Sequence, residues 1–334
     1  MIEDTKNILS KDFENLSYDL SSWNQVLNIS SDISVFHLES TIEYYSAYFH
    51  GSNMSFMLYE SNKPVAIVPL FVYQEKDGWT ITSNDSGLIS PLFIDDVPRR
   101  LRKRLEQQIL EVINIIAKKL EIRKIIIFEH SRILSSWFLL WLDRANKDFT
   151  TYQLAIDLQH TIEDIRLGFR KSYKPLVNKA LKEWRVEICE DNIEKAFEEF
   201  RKLHHAEAGK QTRSMSTWSI QKSQIKNKEA FLVTARDDTE LIGAGLFNYS
   251  RDIGMYSVGA YKRELFDKPI GHAIQMIAIK KLKDIGCKTY LLGQKATNLQ
   301  NSSASSKELS ISHFKDGFAG YVYAQPHLEI NMNE

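Results

Sequence analysis

Two stretches of this sequence share one order of apolar and polar positions. Residues 56–71, FMLYESNKPVAIVPLF, and residues 231–247, FLVTARDDTELIGAGLF, each contain two β-branched and aromatic runs separated by a short polar break. Such runs, bounded by turn residues, are typical of two strands joined as a hairpin. We therefore predict one β-hairpin in each half of the chain.

Helical patterns surround the first hairpin. An aromatic-rich helical segment at 42–49 precedes it. After it, apolar residues recur every three or four positions from Leu101 to Leu120, which predicts a long helix, and the apolar run 124–128 predicts a strand. The predicted order in this half is helix, hairpin, a further strand, helix and strand.

The second half repeats that order. A helical segment at 193–205 precedes its hairpin, and helical spacing runs from Ile270 to Leu282. Gly286 should end this helix, and the apolar run 288–292 then predicts a strand. The repetition places a boundary near residue 155.

This pattern predicts an α/β (α+β) fold of two domains, 1–155 and 156–334. The length of 334 residues and the hydrophobic fraction of 43% are sufficient for two cores. The 43 basic and 43 acidic side chains give a net charge of zero, so the total charge does not require nucleic acid or an anionic membrane as a partner. Cys189 and Cys287 lack C-x-x-C spacing and suit a reducing compartment. Without a signal peptide or an apolar run of roughly 20 residues, we expect a cytoplasmic protein with no transmembrane segment.

A strongly basic segment at 161–188 lies between the two repeats. Thr161 is a candidate N-cap, and Pro175 should bend or split the helical pattern. The basic side chains form either a solvated helix face or a surface that binds phosphate groups, with Arg170 and Lys174 as candidate substrate-binding residues. Because no nucleic-acid-binding motif accompanies them, we do not expect DNA as a partner.

Common catalytic motifs are absent from the sequence. There is no Walker loop, G-x-G-x-x-G, H-E-x-x-H or G-x-S-x-G motif, and no metal site is implied. KPIGHA at 268–273 places a glycine at the start of a predicted helix, where backbone N–H groups could hold phosphate oxygens. An ordinary turn explains the same glycine.

Four motifs of the second half belong together: HHAEAGKQTRSMSTW, AFLVTARDDTELIGAGLF, MYSVGAYKRELFDKPIGHAIQMIAIKKLKDIGCKTYLLG and SHFKDGFAGYVY. They resemble the FemAB-like branch of the GNAT acyltransferase superfamily, which includes the peptidoglycan interpeptide-bridge aminoacyltransferases. The resemblance covers about 160–325 and extends more weakly to SGLISPLF at 86–93. It implies two tandem GNAT-like domains, each a mixed, mostly antiparallel sheet flanked by helices.

The resemblance also implies an acyltransferase. In this family an amine of a peptide or sugar precursor attacks an activated acyl ester, commonly an aminoacyl-tRNA, and an amide forms. This chain lacks the long coiled-coil insertion of some bridge-forming members and differs from them around Arg170, which leaves acyl-CoA open as the donor. We expect no tightly bound cofactor.

The expected acceptor is an amino sugar or peptide precursor, small or lipid-linked, in the synthesis of a bacterial envelope or surface polysaccharide. Two alternatives stay open. One is an acetyl-CoA-dependent N-acetyltransferase of a nucleotide-linked amino sugar, and the other is a catalytically inactive binding protein on a GNAT scaffold.

The first candidate site residues lie in KLHHAEAGKQTRSMSTW, residues 202–218. His204 and Glu207 share a helix face and could hold a substrate amine and accept its proton, with Glu207 as the better base. A polar helix end is the alternative. Arg213 could bind a carboxylate or phosphate, and Trp218 is grouped with the substrate-binding residues, although packing is its more ordinary role.

The second group follows the second hairpin. Tyr256 and Gly259 match the sheet edge that lines the family's substrate groove, although a bulge would equally explain the glycine. His272 and Gln275 open the next helix, whose dipole favours an anionic group.

Near the C-terminus, FKDGF at 314–318 matches the F-K-x-x-F element of the bridge-forming enzymes. By that resemblance Lys315 is the third catalytic candidate and polarises the acyl carbonyl or binds a phosphate. The polar run 294–310 before it is expected to be a mobile loop.

Overall fold

The computed structural model describes residues 16–76, 78–297 and 304–332. These residues form two compact units, one of 16–151 together with 324–332 and the other of 152–323. The units differ from the predicted domains, 1–155 and 156–334, mainly in the C-terminal residues, which group with the first unit. The domain assignment itself stays a prediction.

Short strands dominate the first unit. Its strands before the long helix are β1 (Leu16–Ser17), β2 (Ser52–Asn53), β3 (Phe56–Glu60), β4 (Lys63–Val68), β5 (Phe71–Glu75), β6 (Gly78–Thr82) and β7 (Leu92–Phe93). They form two antiparallel sheets with the orders β1-β3-β4-β7 and β2-β5-β6. The antiparallel pairing of β3 with β4 confirms the first predicted hairpin.

Helices complete the first unit. They are α1 (Leu20–Ile29), α2 (Glu39–Tyr48), α3 (Arg99–Lys119) and α4 (Ser136–Leu142). Helix α3 buries the predicted apolar face, including Leu105, Ile109 and Ile116, because residues three and four apart lie on one side of a helix. Strand β8 (Lys124–Phe128) follows it as predicted.

The second unit contains one larger sheet. Its strands are β9 (Lys147–Asp157), which begins in the first unit, and β10 (Arg185–Ile188), β11 (Ala230–Asp237), β12 (Glu240–Tyr249), β13 (Ile253–Tyr261) and β14 (Thr289–Gln294). Their order is β10-β11-β12-β13-β14-β9. The pairings are antiparallel except for that of β13 with β14, which is parallel. The second predicted hairpin is confirmed as β11 and β12.

Helices cover both faces of this sheet. They are α5 (Ile162–Gly168), α6 (Tyr173–Glu183), α7 (Ile193–Ala208), α8 (Met215–Lys226), α9 (Ile270–Ile285) and α10 (Ser306–Asp316). Val177 of α6 and Ile274 of α9 belong to the apolar cluster on one face. Phe200 of α7 and Trp218 of α8 belong to the cluster on the other face. The two clusters give the sheet a core on each side.

The basic segment folds as two helices, α5 and α6. The Thr161 hydroxyl accepts the Asp164 N–H and caps α5, which confirms the predicted cap. The helical pattern is interrupted between Gly168 and Tyr173, so the segment is split as predicted, although the split lies just before Pro175. Pro175 lies in the first turn of α6, where its missing N–H removes no bond within the helix.

The predicted loop at 294–310 is shorter than expected. Residues 298–303 lie outside the described residues, but α10 already begins at Ser306. The Ser305 hydroxyl accepts the Glu308 N–H while the Glu308 carboxylate accepts the Ser305 N–H, a capping box that starts the helix. The loop prediction is therefore wrong for 306–310.

The last strand returns the chain to the first unit. Strand β15 (Tyr321–Asn331) pairs antiparallel with β8 from His327 to Asn331. This pairing explains why the residues from 324 onward group with the first unit. Within the described part of the chain, no helix combines the length and apolar character needed to cross a bilayer.

Candidate functional site

Strands β13 and β14 of the second unit separate part of the way along their length. Their parallel pairing joins Ile253–Met255 to Thr289–Leu291, whereas β13 stays paired with β12 as far as Tyr261. We call the fork the region between Tyr256–Tyr261 of β13 and Leu292–Gln294 of β14. Side chains from β13, α9 and α10 gather around it.

A bulge sets the direction of the β13 side chains at the fork. Pairing with β12 passes from Leu246 opposite Val258 to Phe247 opposite Tyr256, so Ser257 is an extra residue. Because side chains alternate along a regular strand, the extra residue inverts the alternation. Tyr256 therefore lies on the face of Tyr261, and their hydroxyls are 2.9 Å apart.

Gly259 has a steric reason in this arrangement. A Cβ atom at Gly259 would lie 1.8 Å from the Tyr256 hydroxyl and 3.1 Å from the Tyr261 ring. The absence of a side chain thus makes room for Tyr256. Burial raises the pKa of Tyr256 to about 12, so its hydroxyl is protonated at neutral pH.

Lys315 of α10 extends over this tyrosine. Its Nζ atom lies 5.4 Å from the centre of the Tyr256 ring. A Cβ atom at Gly293 would be 2.7 Å from Nζ, and the φ angle of Gly293, 113°, also favours glycine. Burial lowers the pKa of Lys315 to about 8. Among the residues that the structure describes, no carboxylate forms an ion pair with this ammonium. The carboxylate next to it in sequence, that of Asp316, binds Lys295 at 2.8 Å.

His272 lies among aromatic rings at the first turn of α9. Its ring meets those of Tyr173 and Phe314 edge to face, with centroid distances of 4.4 and 5.1 Å. Burial, and secondarily the charge of Arg170, lowers the pKa of His272 to about 4, so the imidazole is neutral at pH 7. Its Nε2 atom is buried without a hydrogen-bond partner in the described part of the chain.

Gln275 lies one turn further along α9 and is fully buried. Its Oε1 accepts the Tyr290 hydroxyl at 2.5 Å. This hydrogen bond places the Gln275 side chain in the core, whereas it was predicted to meet an anionic group near the start of the helix.

Arg170 joins the loop before α6 to the end of α10. Its guanidinium donates to the His313 carbonyl at 3.1 Å and lies 2.8 Å from His313 Nε2. It also lies 3.9 Å from Asp316. A cation beside the last carbonyls of a helix stabilises that helix end. Arg170 thus contacts the helix that carries Lys315, while Lys174 is partly exposed on α6.

The residues predicted from 202–218 form a separate cluster, here called the α7–α8 cluster. His204 Nε2 lies 3.2 Å from an Arg213 guanidinium nitrogen, and that guanidinium lies 5.5 Å from the Trp218 ring centre. Burial, then the charge of Arg213, lowers the pKa of His204 to about 4. Trp218 is 5% exposed and contacts Phe200 edge to face. Trp218 thus packs in the core, and its assignment to the substrate-binding residues stays a prediction.

Glu207 belongs to the same helix but has a different partner. Its carboxylate accepts the Arg263 main-chain N–H at 3.2 Å and lies 3.6 Å from the Arg263 Nε atom. The Arg263 guanidinium also donates to the Glu207 carbonyl at 2.5 Å. His204 and Glu207 were expected to act together on a substrate amine. In the structure His204 contacts Arg213, whereas Glu207 binds Arg263.

Sequence reasoning overlooked several residues around the fork. Tyr261 is five positions from Tyr256, so regular alternation would put them on opposite faces, and only the bulge brings them together. Tyr173 packs against Gly317, where a Cβ atom would lie 2.2 Å from the ring. The glycine within FKDGF was a signal for such close approach.

Known structures share this architecture. FemX gives a TM-score of 0.69 over 93% of this chain and 96% of its own, at 13% sequence identity. L-PGS from Bacillus licheniformis gives 0.60 over 95% and 93%, at 12% identity. A tandem GNAT protein from the clavulanic acid biosynthesis pathway gives 0.50 over 96% and 99%, at 11% identity. No protein-family profile and no curated relative matches this sequence.

These similarities identify the class of fold. The chain has the tandem GNAT fold, an α/β architecture with mostly antiparallel sheets, as predicted. Among tandem GNAT structures, it resembles those of the FemAB-like branch. At these identities the comparison concerns the fold. No group of three or more His, Cys, Asp and Glu side chains suited to a metal ion occurs within 16–76, 78–297 and 304–332.

Proposed function

We propose that this chain is an acyltransferase that forms an amide on an amino group, with the fork of the second unit as its active site. The observation that carries the proposal is the Lys315 ammonium, partly buried above Tyr256 and without a carboxylate partner in the described residues. Desolvating a lysine costs free energy, and an unpaired cation in such a position is a typical feature of functional sites.

The reaction requires little covalent chemistry from the protein. A neutral amine attacks the acyl carbonyl carbon, a C–N bond forms, and the C–O or C–S bond to the leaving group breaks. The amine loses one proton and the leaving group gains one. Lys315, protonated below about pH 8, is suited to stabilise the negative charge that develops on the carbonyl oxygen.

The donor is proposed as an aminoacyl-tRNA or an acyl-CoA. Fold similarity to FemX and L-PGS favours the aminoacyl donor. The first turn of α9 has no side-chain cap, and a phosphate of acyl-CoA would complement its N–H groups, which favours acyl-CoA. Gly271 does not require a phosphate-binding role, because a Cβ atom there would lie 3.1 Å from the Phe314 ring and packing alone explains the glycine.

The acceptor is proposed as an amino sugar or peptide precursor of a bacterial envelope or surface polysaccharide. The alternative of an inactive binding scaffold predicts binding of such precursors without transfer. The predicted cytoplasmic location and the predicted roles of Glu207, His204 and Arg213 stay predictions.

The test is amide formation, followed by mass spectrometry. The purified full-length chain is incubated with aminoacyl-tRNA or acetyl-CoA and with a nucleotide-linked amino sugar or a lysine-containing muramoyl peptide. We expect product with one donor, and a fall of roughly a hundredfold in kcat for Lys315→Met. Lys280→Met, an exposed lysine on α9, is the matched control. Product formation that is equal in Lys315→Met and wild type would refute the fork as the active site.

A further inference from the structure

A chain of hydrogen bonds, buried at Gln224 and Asn248 and partly buried at Ser257, reaches the β13 bulge from the α8 side of the sheet. The Ser257 hydroxyl donates to Asn248 Oδ1 at 2.6 Å. The Asn248 amide then donates to Gln224 Oε1 at 2.9 Å. Asn248 of β12 is 5% exposed and Gln224 of α8 is 2% exposed. The extra residue of the bulge is thus tied to the neighbouring strand and, through it, to a helix.

These polar groups lie next to an apolar cluster. Leu246 and Val258, which pair beside the bulge, both belong to the cluster that contains Trp218. A buried amide without a partner costs free energy, whereas apolar side chains of similar size would pack there without that risk. These polar residues therefore favour the arrangement in which Ser257, Asn248 and Gln224 are joined by hydrogen bonds.

The competing arrangement is a shift of the bulge along β13. If the extra residue moved past Tyr256, this side chain would follow the alternation of Val258 and turn to the α7–α8 face. The Tyr256 hydroxyl would leave Tyr261, and its ring would leave the Lys315 amine. A hydroxyl at 257 bonded to Asn248 opposes this shift, because the bond forms only with residue 257 in the bulge.

We propose that Gln224, Asn248 and Ser257 are positioning residues that hold the bulge and thereby keep the Tyr256 ring beneath Lys315. The inference rests on the proposed acyl transfer at the fork and assigns residues on the opposite face of the sheet to that site. None of the three contacts the reacting groups directly. They act through the direction of Tyr256.

The Lys315 amine reports the position of Tyr256. The titratable side chain in contact with it is Tyr256. Tyr256 in turn bonds to Tyr261 of β13 and lies close to Tyr290 of β14. The charged groups near the end of α10 are Asp316, bound to Lys295, and Arg170. These groups stay in place if only Tyr256 withdraws, so a change in the Lys315 titration then reflects renewed hydration of the amine.

The test measures the Lys315 titration by NMR in the full chain with isotope-labelled lysine, assigned with Lys315→Met. Wild type should titrate near pH 8. In Ser257→Ala, which removes the donor to Asn248, we expect the midpoint to move up toward the ordinary value of 10.5. Ser257→Thr, which keeps a hydroxyl, should restore the wild-type midpoint.

Transfer kinetics provide the second measurement. A displacement of about 1 Å can cost about a hundredfold in rate, so we expect kcat of Ser257→Ala to fall by roughly ten- to a hundredfold with a small change in KM. Gln224→Leu, which leaves Ser257 in place but removes the acceptor for Asn248, should act in the same direction. Gln221→Leu is the matched control, because Gln221 lies on the same helix, is buried, and has an unpartnered Oε1 within the described residues.

The two measurements separate this inference from the function on which it rests. If wild type forms no amide but its Lys315 titration still moves in Ser257→Ala, the proposed function fails and the positioning role stands. A folded Ser257→Ala and a folded Gln224→Leu with wild-type Lys315 titration would overturn the positioning role, whatever the activity.

Discussion

Lys315 at the fork and Glu207 in the α7–α8 cluster were both predicted to be catalytic, but their surroundings are opposite. The Glu207 carboxylate is bound by the main-chain N–H and the guanidinium of Arg263. The Lys315 ammonium has an aromatic ring beneath it and no carboxylate partner in the described part of the chain. One charge is paired within the protein, and the other is the charge that we propose to act on a substrate.

This contrast shows why a dense polar motif is a weak guide to an active site. In 202–218 the Arg213 guanidinium contacts both His204 and Trp218. Such contacts fold a helix end and its loop. In the sequence, only the family resemblance supported Lys315. It became a better candidate because the surrounding elements of the fold desolvate its amine.

The largest expected effect is loss of stability at Trp218. Trp218→Ala removes a buried ring that contacts Phe197, Phe200 and His204, so we expect the free energy of unfolding to fall by about 3 to 5 kcal/mol in urea denaturation. Trp218→Phe should retain most of the stability. A rise in KM for Trp218→Phe with unchanged stability would restore Trp218 to the substrate-binding residues.

Gly259 offers the corresponding test at the fork. Gly259→Ala places a Cβ atom against the Tyr256 hydroxyl and should lower the free energy of unfolding by about 1 to 3 kcal/mol. Gly168→Ala, with nothing within 4 Å of the added atom, is the control and should cost little. In a Tyr256→Ala background the cost at Gly259 should largely disappear. A cost that persists there would show that Tyr256 is not the reason for this glycine.

A pH dependence should distinguish Lys315 from surface lysines. Its folded-state pKa of about 8 lies below the ordinary 10.5, so between these values the unfolded chain binds more protons and stability rises with pH. The difference in free energy of unfolding between wild type and Lys315→Met should therefore shift in favour of wild type from about pH 7 to about pH 10. The rate of acyl transfer should decline above about pH 8, where the ammonium is lost. If this difference in the free energy of unfolding does not vary with pH, the Lys315 amine is hydrated and the prediction is contradicted.

The smallest effect is expected at Glu207. Glu207→Gln weakens a partly exposed ion pair with Arg263, which contributes about 0 to 1 kcal/mol to the free energy of unfolding. If the contrast between the two regions holds, kcat should change less than about threefold. A loss of kcat as large as that of Lys315→Met would support Glu207 as the general base and contradict the contrast.

Much of the fold could be predicted because its signals are local. Apolar spacing from Leu101 to Leu120 matches the buried face of α3, and the run 124–128 matches β8. Both hairpins and the Thr161 cap followed from residue types at short range. The split of the basic segment was also predicted, although it lies at 169–172 and Pro175 is in the first turn of the helix that follows.

The candidate site was only partly predictable. Tyr256 and Lys315 were named from a family resemblance, and their approach to each other depends on elements distant in sequence. Tyr261 was missed because the bulge at Ser257 changes which residues share a face. Gln275 was predicted to meet an anionic group near the start of a helix, but the fold buries it against Tyr290.

By itself the sequence determined the helices, the hairpins, their repetition and the residue types available for chemistry, since periodicity and capping act over a few residues. Only the tertiary structure decided which polar groups are paired and which are desolvated. Arg263 meets Glu207 across 56 positions of the chain, and α10 brings Lys315 to a strand that ends at Tyr261. Pairing and desolvation depend on residues that are close in space but distant along the chain, and local sequence patterns do not show which residues those are.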